Sequence, residues 1–153
     1  MIKKLFRKKR ARNTELILWF KELGIKDVPL VGGKNASLGE MYQKLTKKKV
    51  KIPNGFAVTA YAYHYFTEQA GIKDDIRKIL KGLDPHNIAD LQNKGHRVRQ
   101  TILNAQFPED LNEAIIKAYR KMEKMYGKQY RPDQRQYWNR WCDVNTHVIY
   151  LYA

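Results

Sequence analysis

Apolar side chains recur at helical spacing over most of residues 15–127, and turn residues separate the periodic stretches. Apolar positions that repeat every three or four residues are typical of amphipathic helices. A polar capping residue or a first-turn proline stands at the beginning of each stretch. The predicted helix starts are marked by Ser37, Thr59, Asp74, Asn87 and Pro108. Gly71, Gly82 and Gly127 predict where three of these helices end.

Two short apolar segments interrupt this helical pattern. Residues 15–23 are mostly apolar and are followed by Gly24, and at this length a buried strand and a short helix have the same pattern. Residues 56–58, Phe-Ala-Val, follow the turn sequence Pro-Asn-Gly at residues 53–55 and predict a short strand. Few strands among several helices predict a predominantly helical α+β fold.

The basic charge of the chain is concentrated near its start. The formal net charge is +15, and residues 1–12 hold seven Lys or Arg side chains and no acidic one. Such a segment can bind polyanions without specificity. Two interpretations of residues 1–14 stay open: a solvated, disordered leader or misassigned start, and a segment that acts on nucleic acid or a membrane surface.

Composition narrows the class of protein. Hydrophobic residues make up 43% of the chain, which is enough for a packed core. No apolar run approaches the roughly 20 residues that span a bilayer, and the basic start lacks the apolar stretch of a secretory signal. The single cysteine, Cys142, has no internal disulfide partner, so we expect a cytoplasmic protein. The four histidines and Cys142 lack metal-site spacing, and no metal ligand is predicted.

The clearest chemical signal is Gly-Gly-Lys-Asn at residues 32–35, which we call the glycine–lysine segment. Ser37 and Glu40 follow at the spacing of a capping box, which predicts a helix start directly after Lys34. Backbone N–H groups, the positive end of a helix dipole and an ammonium would then converge, as in a phosphate site. The spacing is not that of the Walker motif. A simple turn with a solvated lysine is the alternative interpretation.

Three blocks of sequence carry a resemblance to a known family. Residues 18–24 read LWFKELG, residues 31–41 read VGGKNASLGEM and residues 52–59 read IPNGFAVT. In order, spacing and identity these blocks resemble the N-terminal part of phosphoenolpyruvate synthase, a pyruvate, water dikinase. The resemblance continues more loosely through residues 99–126, and it covers residues 15–127.

This resemblance implies a partial ATP-grasp-like nucleotide-binding domain. In that family ATP phosphorylates a histidine on a separate domain, and the phosphohistidine then passes its phosphoryl group to pyruvate. ATP, pyruvate and water give AMP, phosphoenolpyruvate and phosphate, with Mg²⁺ required, in gluconeogenesis. Lys34 matches the family lysine that contacts ATP phosphates, and Gly32, Gly33 and Asn35 belong to the same loop. No residue here matches a catalytic residue, a magnesium ligand or the pyruvate site.

The resemblance ends where the composition changes. Residues 128–153 are rich in Tyr and Trp without clear periodicity, and residues 148–152 are an isolated strand candidate. They replace the family's Arg-Ser-Ser continuation, so we expect a truncated chain whose tail is atypical and could be frameshifted. We expect such a fragment to be inactive alone and to expose apolar surface that favours association. Two alternatives stay open: a basic nucleic-acid-binding or interaction protein, and another dikinase such as an antibiotic phosphotransferase.

Overall fold

A computed structural model describes residues 11–126 of the chain. Within them the chain divides between Tyr63 and His64 into two compact units. Helices dominate, and the strands form one small sheet, so the predicted α+β, predominantly helical fold is confirmed. The elements are β1 (Ile17–Trp19), α1 (Val28–Lys47), β2 (Phe56–Val58), α2 (Ala60–Gln69), α3 (Lys73–Leu80), α4 (Ile88–Asn104) and α5 (Glu109–Tyr126).

The first unit is built on a two-stranded antiparallel sheet covered by α1. Strand β1 pairs with β2 so that Leu18 lies opposite Ala57, and both side chains are buried. Leu23 from the following loop, together with Val31 and Ala36 from α1, completes this core. The apolar segment at residues 15–23 is therefore a strand that continues into a 3₁₀ turn, and the predicted strand at residues 56–58 is confirmed.

The turn before β2 is tied to the 3₁₀ turn after β1. The Phe20 N–H donates to the Gly55 carbonyl at 2.9 Å, and the Lys21 N–H donates to Asn54 Oδ1 at 3.1 Å. A Cβ at residue 55 would lie 2.5 Å from the Phe20 ring, so any residue other than glycine would require this ring to shift. The Pro-Asn-Gly sequence thus fixes where the two strands begin to pair.

The N-terminal cap of α2 forms as predicted. The Thr59 hydroxyl accepts a hydrogen bond from the Ala62 N–H at 3.1 Å and donates to the Glu15 carbonyl at 2.6 Å. A threonine oxygen that receives an N–H of the first turn satisfies a donor that the helix itself leaves unpaired. The same side chain therefore starts α2 and anchors the chain segment ahead of β1.

The second unit consists of helices whose apolar faces meet. Helices α3 and α4 pack together, and α4 begins where Asn87 Oδ1 accepts from the Asp90 N–H at 3.1 Å. Gly71 and Gly82 have φ values of +69° and +65°, which confirms their predicted role at helix ends. The buried side chains of this unit are Phe66, Thr67, Ile72, Ile76, Val98, Ile102, Leu111 and Ala118.

The predicted start of α1 at Ser37 is wrong. The helix begins at Val28 with proline next to it in the first turn, and Ser37 is an exposed residue of the helix interior. The Glu40 carboxylate accepts from the Ile25 N–H at 3.1 Å and forms an ion pair with Lys44 at 2.8 Å. Ser37 and Glu40 have the spacing of a capping box but do not form one. Residues three positions apart are also neighbours on the surface of a continuous helix, so the spacing does not by itself mark a helix start.

The structure also differs from the predicted leader over its last residues. Arg12–Thr14 form a 3₁₀ turn, and the Arg12 guanidinium pairs with Asp27 at 2.8 Å and also donates to the Glu22 carbonyl. These contacts join residue 12 to the chain ahead of α1. Residues 1–10, the predicted helix stop at Gly127, the atypical tail and its strand candidate lie outside the described residues.

Helix α1 rests directly on the backbone of the loop that precedes it. A Cβ at Gly39 would lie 2.7 Å from the Leu23 carbonyl oxygen and 2.9 Å from its carbonyl carbon. The Gln43 side-chain amide donates to the same carbonyl oxygen. Both residues therefore hold the helix against Leu23, which is completely buried.

We expect Gly39→Ala to lower the free energy of unfolding, because the added methyl would collide with backbone that cannot move aside. The loss should be about 1–3 kcal/mol, as for other overpacked sites. Urea denaturation of the two proteins measures it. Gly33→Ala is the matched control in the same helix, because its Cβ would meet no atom within 4 Å. Equal stability changes in the two variants would contradict this account.

Candidate functional site

The glycine–lysine segment lies at a break inside α1. Gly32 has φ 77° and ψ 161°, so the chain leaves helical geometry there and resumes it at Gly33. This region of backbone conformation is accessible to glycine and strained for other residues. Gly33, Lys34 and Asn35 consequently occupy the first turn of the helical stretch that runs to Lys47.

This position brings together the features that the sequence predicts for an anion site, although by a different route. The first N–H groups of a helix lack acceptors within that helix and carry partial positive charge. Because the break is at Gly32, Lys34 stands within the first turn, whereas the sequence places it ahead of a turn that starts at Ser37. The predicted juxtaposition of lysine and helix start therefore exists, but the helical stretch begins at Gly33, four residues before Ser37.

Lys34 is available to a ligand. Its side chain is exposed, and it forms no ion pair with any residue between 11 and 126. Gly33 is also exposed, and a Cβ placed there would have no neighbour within 4 Å. An exposed lysine and an accessible stretch of backbone are thus adjacent in the first turn after the break.

Asn35 has different surroundings from the other three residues of the segment. Its side chain is half-buried, and Nδ2 donates to the Val31 carbonyl at 2.9 Å. Val31 precedes Gly32, so this hydrogen bond spans the break. The structure therefore brings Lys34 and Gly33 to the exposed side and directs the Asn35 amide to the backbone.

Acidic side chains hold the loop that leads into α1. Asp27 Oδ2 accepts from the Gly24 N–H at 2.8 Å and from Arg12 at 2.8 Å. Glu40 accepts from the next N–H group, that of Ile25. Asp27 is thereby paired with Arg12, and Glu40 with Lys44, whereas Lys34 forms no ion pair among residues 11–126. The sequence signal for this helix start is an acid, Asp27, two residues ahead of a first-turn proline.

The electrostatics of Glu40 follow from the same contacts. The hydrogen bond from Lys44 and the hydrogen bond from the Ile25 N–H hold the pKa of Glu40 below its usual value of 4.5. Both donors favour the ionised carboxylate. The charged form of Glu40 is therefore the form that fastens α1 to the loop.

The described residues add no metal centre and no membrane segment to this picture. No group of three or more His, Cys, Asp or Glu side chains within residues 11–126 could hold a metal ion. None of the described helices is both long and apolar enough to cross a bilayer. The expected Mg²⁺ has no ligand set among these residues, so we assign no step of the chemistry to it here.

Comparison with known proteins identifies the family. A family model described as pyruvate phosphate dikinase, AMP/ATP-binding domain, matches residues 28–134 of the chain. The chain belongs to this family. The match includes the whole of α1 and ends inside the stretch predicted to be an atypical tail.

Individual relatives confirm the resemblance to phosphoenolpyruvate synthase. The chain is 52% identical over 117 residues to a phosphoenolpyruvate synthase of Synechocystis sp. and 49% identical over 115 residues to one of Aquifex aeolicus. Identity to the phosphoenolpyruvate synthase of Escherichia coli is 42% over 107 residues. These alignments cover 76%, 75% and 70% of this chain, but only 14%, 13% and 14% of the relatives.

We expect Glu40→Gln to destabilise the protein in a pH-dependent way. The ionised carboxylate, whose pKa is lowered on folding, contributes stability above its unfolded pKa near 4.5 and loses it as the pH falls through the lower folded value. The stability difference between the wild-type protein and Glu40→Gln should therefore be largest at neutral pH and shrink in acid. Urea denaturation over a pH series measures this difference.

Glu113→Gln provides the control for this titration. Glu113 is exposed on α5 and has no ion pair with the rest of the described chain. Its difference from the wild-type protein should stay nearly constant over the same pH series. A constant difference for Glu40→Gln would contradict the role of its charge.

Proposed function

We propose that the glycine–lysine segment binds the phosphates of ATP, as part of the nucleotide-binding domain of a dikinase related to phosphoenolpyruvate synthase. The observation that carries this proposal is Lys34 in the first helical turn after Gly32, where it is exposed and has no ion-pair partner among residues 11–126. Membership of an AMP/ATP-binding domain family supports the same ligand. Lys34 and the N–H groups of that turn are the proposed ATP contacts, with Gly32 and Gly33 shaping the backbone.

The helix dipole and the Lys34 ammonium contribute differently to the proposed binding of phosphate. A helix dipole contributes about 0.3–1 kcal/mol to the binding of an anion near its N-terminus. A charge-assisted hydrogen bond from a lysine is stronger, and its flexible stem lets the ammonium follow a phosphate whose charge changes during transfer. Lys34 therefore supplies the main attraction, and the backbone of the turn fixes where the phosphate lies.

The complete reaction that we propose for the family needs more groups than residues 11–126 provide. ATP would phosphorylate a histidine, which would then phosphorylate pyruvate to give phosphoenolpyruvate, AMP and phosphate, in the cytoplasm and as part of gluconeogenesis. Magnesium, when bound, would neutralise phosphate charge. Because the described residues offer only one cationic anchor and no metal-binding set, we expect weak ATP binding and no phosphoryl transfer by this chain alone.

A second candidate function rests on the lysines at the other end of α1. These side chains are all exposed, and a cluster of like charge attracts polyanions. A nucleic-acid-binding role predicts affinity that falls steeply with salt and does not depend on Lys34. The cluster consists of Lys47, Lys48, Lys49 and Lys51.

We expect Lys34→Ala to weaken the binding of Mg-ATP about tenfold or more, the size of a lost charged hydrogen bond. Ligand-observed saturation-transfer NMR measures it, because this method suits weak complexes. Lys48→Ala is the matched control, since Lys48 is an equally exposed lysine at the opposite end of the helix. Equal losses in both variants, or no ATP binding by the wild-type chain, would contradict the proposal.

A further inference from the structure

Asn35 differs from its neighbours in what its side chain contacts. Its Nδ2 donates to the Val31 carbonyl at 2.9 Å, across the only described residue of α1 with non-helical dihedral angles. Val31 is buried in the core of the first unit, whereas Lys34 is exposed. The Asn35 amide is thus hydrogen-bonded to the backbone of its own helix, one turn earlier.

The chemistry of an amide limits what Asn35 can do for a phosphate. Phosphate oxygens accept hydrogen bonds, so an asparagine can contact them only through its NH₂ group. One of its two N–H donors is used by the Val31 carbonyl, and the side-chain oxygen is an acceptor that phosphate does not favour. Any direct contact of Asn35 with a phosphate is therefore limited to its second N–H, whose direction the hydrogen bond to Val31 already fixes.

The break at Gly32 needs a restraint. Glycine adopts the observed conformation without a steric penalty, but it also adopts many others, so the residue alone does not hold one geometry. A hydrogen bond from residue 35 back to residue 31 closes a short ring around Gly32. The position of Lys34, which lies inside that ring, then depends on the same hydrogen bond.

We propose that Asn35 is a positioning residue that fixes the Gly32 break and thereby the direction of Lys34, and that it does not itself contact ATP. Its effect on nucleotide affinity rests on the function proposed above, while its effect on the break does not. The sequence alone groups Asn35 with the ATP contacts, because it gives the spacing of the segment without the direction of each side chain.

The first test follows the break without any ligand. We expect Asn35→Ala and Asn35→Asp to shift the ¹³C resonance of the Val31 carbonyl and the amide resonances of residues 32–36, because neither variant can donate to that carbonyl. Asn35→Ser should restore much of the wild-type spectrum, since a serine hydroxyl can donate to the carbonyl four residues earlier. Lys34→Ala should leave the Val31 carbonyl unchanged. An unchanged Val31 carbonyl in Asn35→Ala would overturn the inference.

The second test is a double-mutant cycle on the affinity for Mg-ATP. Asn35→Ala should weaken binding about fivefold, as expected from the loss of one side-chain hydrogen bond. In the Lys34→Ala background it should cause a clearly smaller loss, because the ammonium that it positions is gone and only the N–H groups of the turn remain. A full additional loss in that background would show that Asn35 contacts the nucleotide itself and would overturn the inference.

The two tests separate this inference from the proposed function. If the wild-type chain fails to bind Mg-ATP, the proposed function fails, and the carbonyl resonance still decides whether Asn35 fixes the break. If ATP binds and Lys34→Ala weakens its binding, but the Val31 carbonyl resonance is unchanged in the Asn35 variants, the proposed function stands and the positioning role fails.

Discussion

The departure of Gly32 from helical geometry is the constraint on which the candidate site depends. If Gly32 had helical dihedral angles, a single regular helix would run from Val28 to Lys47. Lys34 would then lie in the helix interior, away from any N-terminal turn. The break places the lysine beside the first N–H groups of a helical stretch, which have no acceptor within that stretch. The anion site that we propose therefore depends on one backbone conformation that glycine tolerates.

Two acidic side chains connect α1 to the loop that precedes it. Asp27 and Glu40 lie between the loop and the helix, and each accepts from a backbone N–H group as well as from a cationic side chain. Those hydrogen bonds occupy both carboxylates, and Lys34 forms no ion pair among the described residues. The two acids thus stabilise the loop ahead of α1 and the helix itself.

Local signals in the sequence predict much of the fold, and contacts between distant segments account for what they miss. The caps at Thr59 and Asn87 depend on residues three positions away, so their spacing suffices. The true start of α1 was missed because Glu40 has its partner at Ile25, fifteen positions earlier, while its spacing to Ser37 imitates a local cap. Residue types and spacing predict an anion site near Lys34, but the direction of the Asn35 amide depends on a dihedral angle that glycine leaves open.

The contact of Gly39 with Leu23 also limits how the site can move. Because residue 39 has no side chain, the helix lies directly on the carbonyl group of Leu23, and any axial shift would bring a bulkier neighbour to that spot. Translation of α1 along its axis would therefore cost this close packing. In the proposed site, adjustment to a nucleotide falls to rotation of the Lys34 stem, because the hydrogen bond from Asn35 to Val31 restrains bending at Gly32.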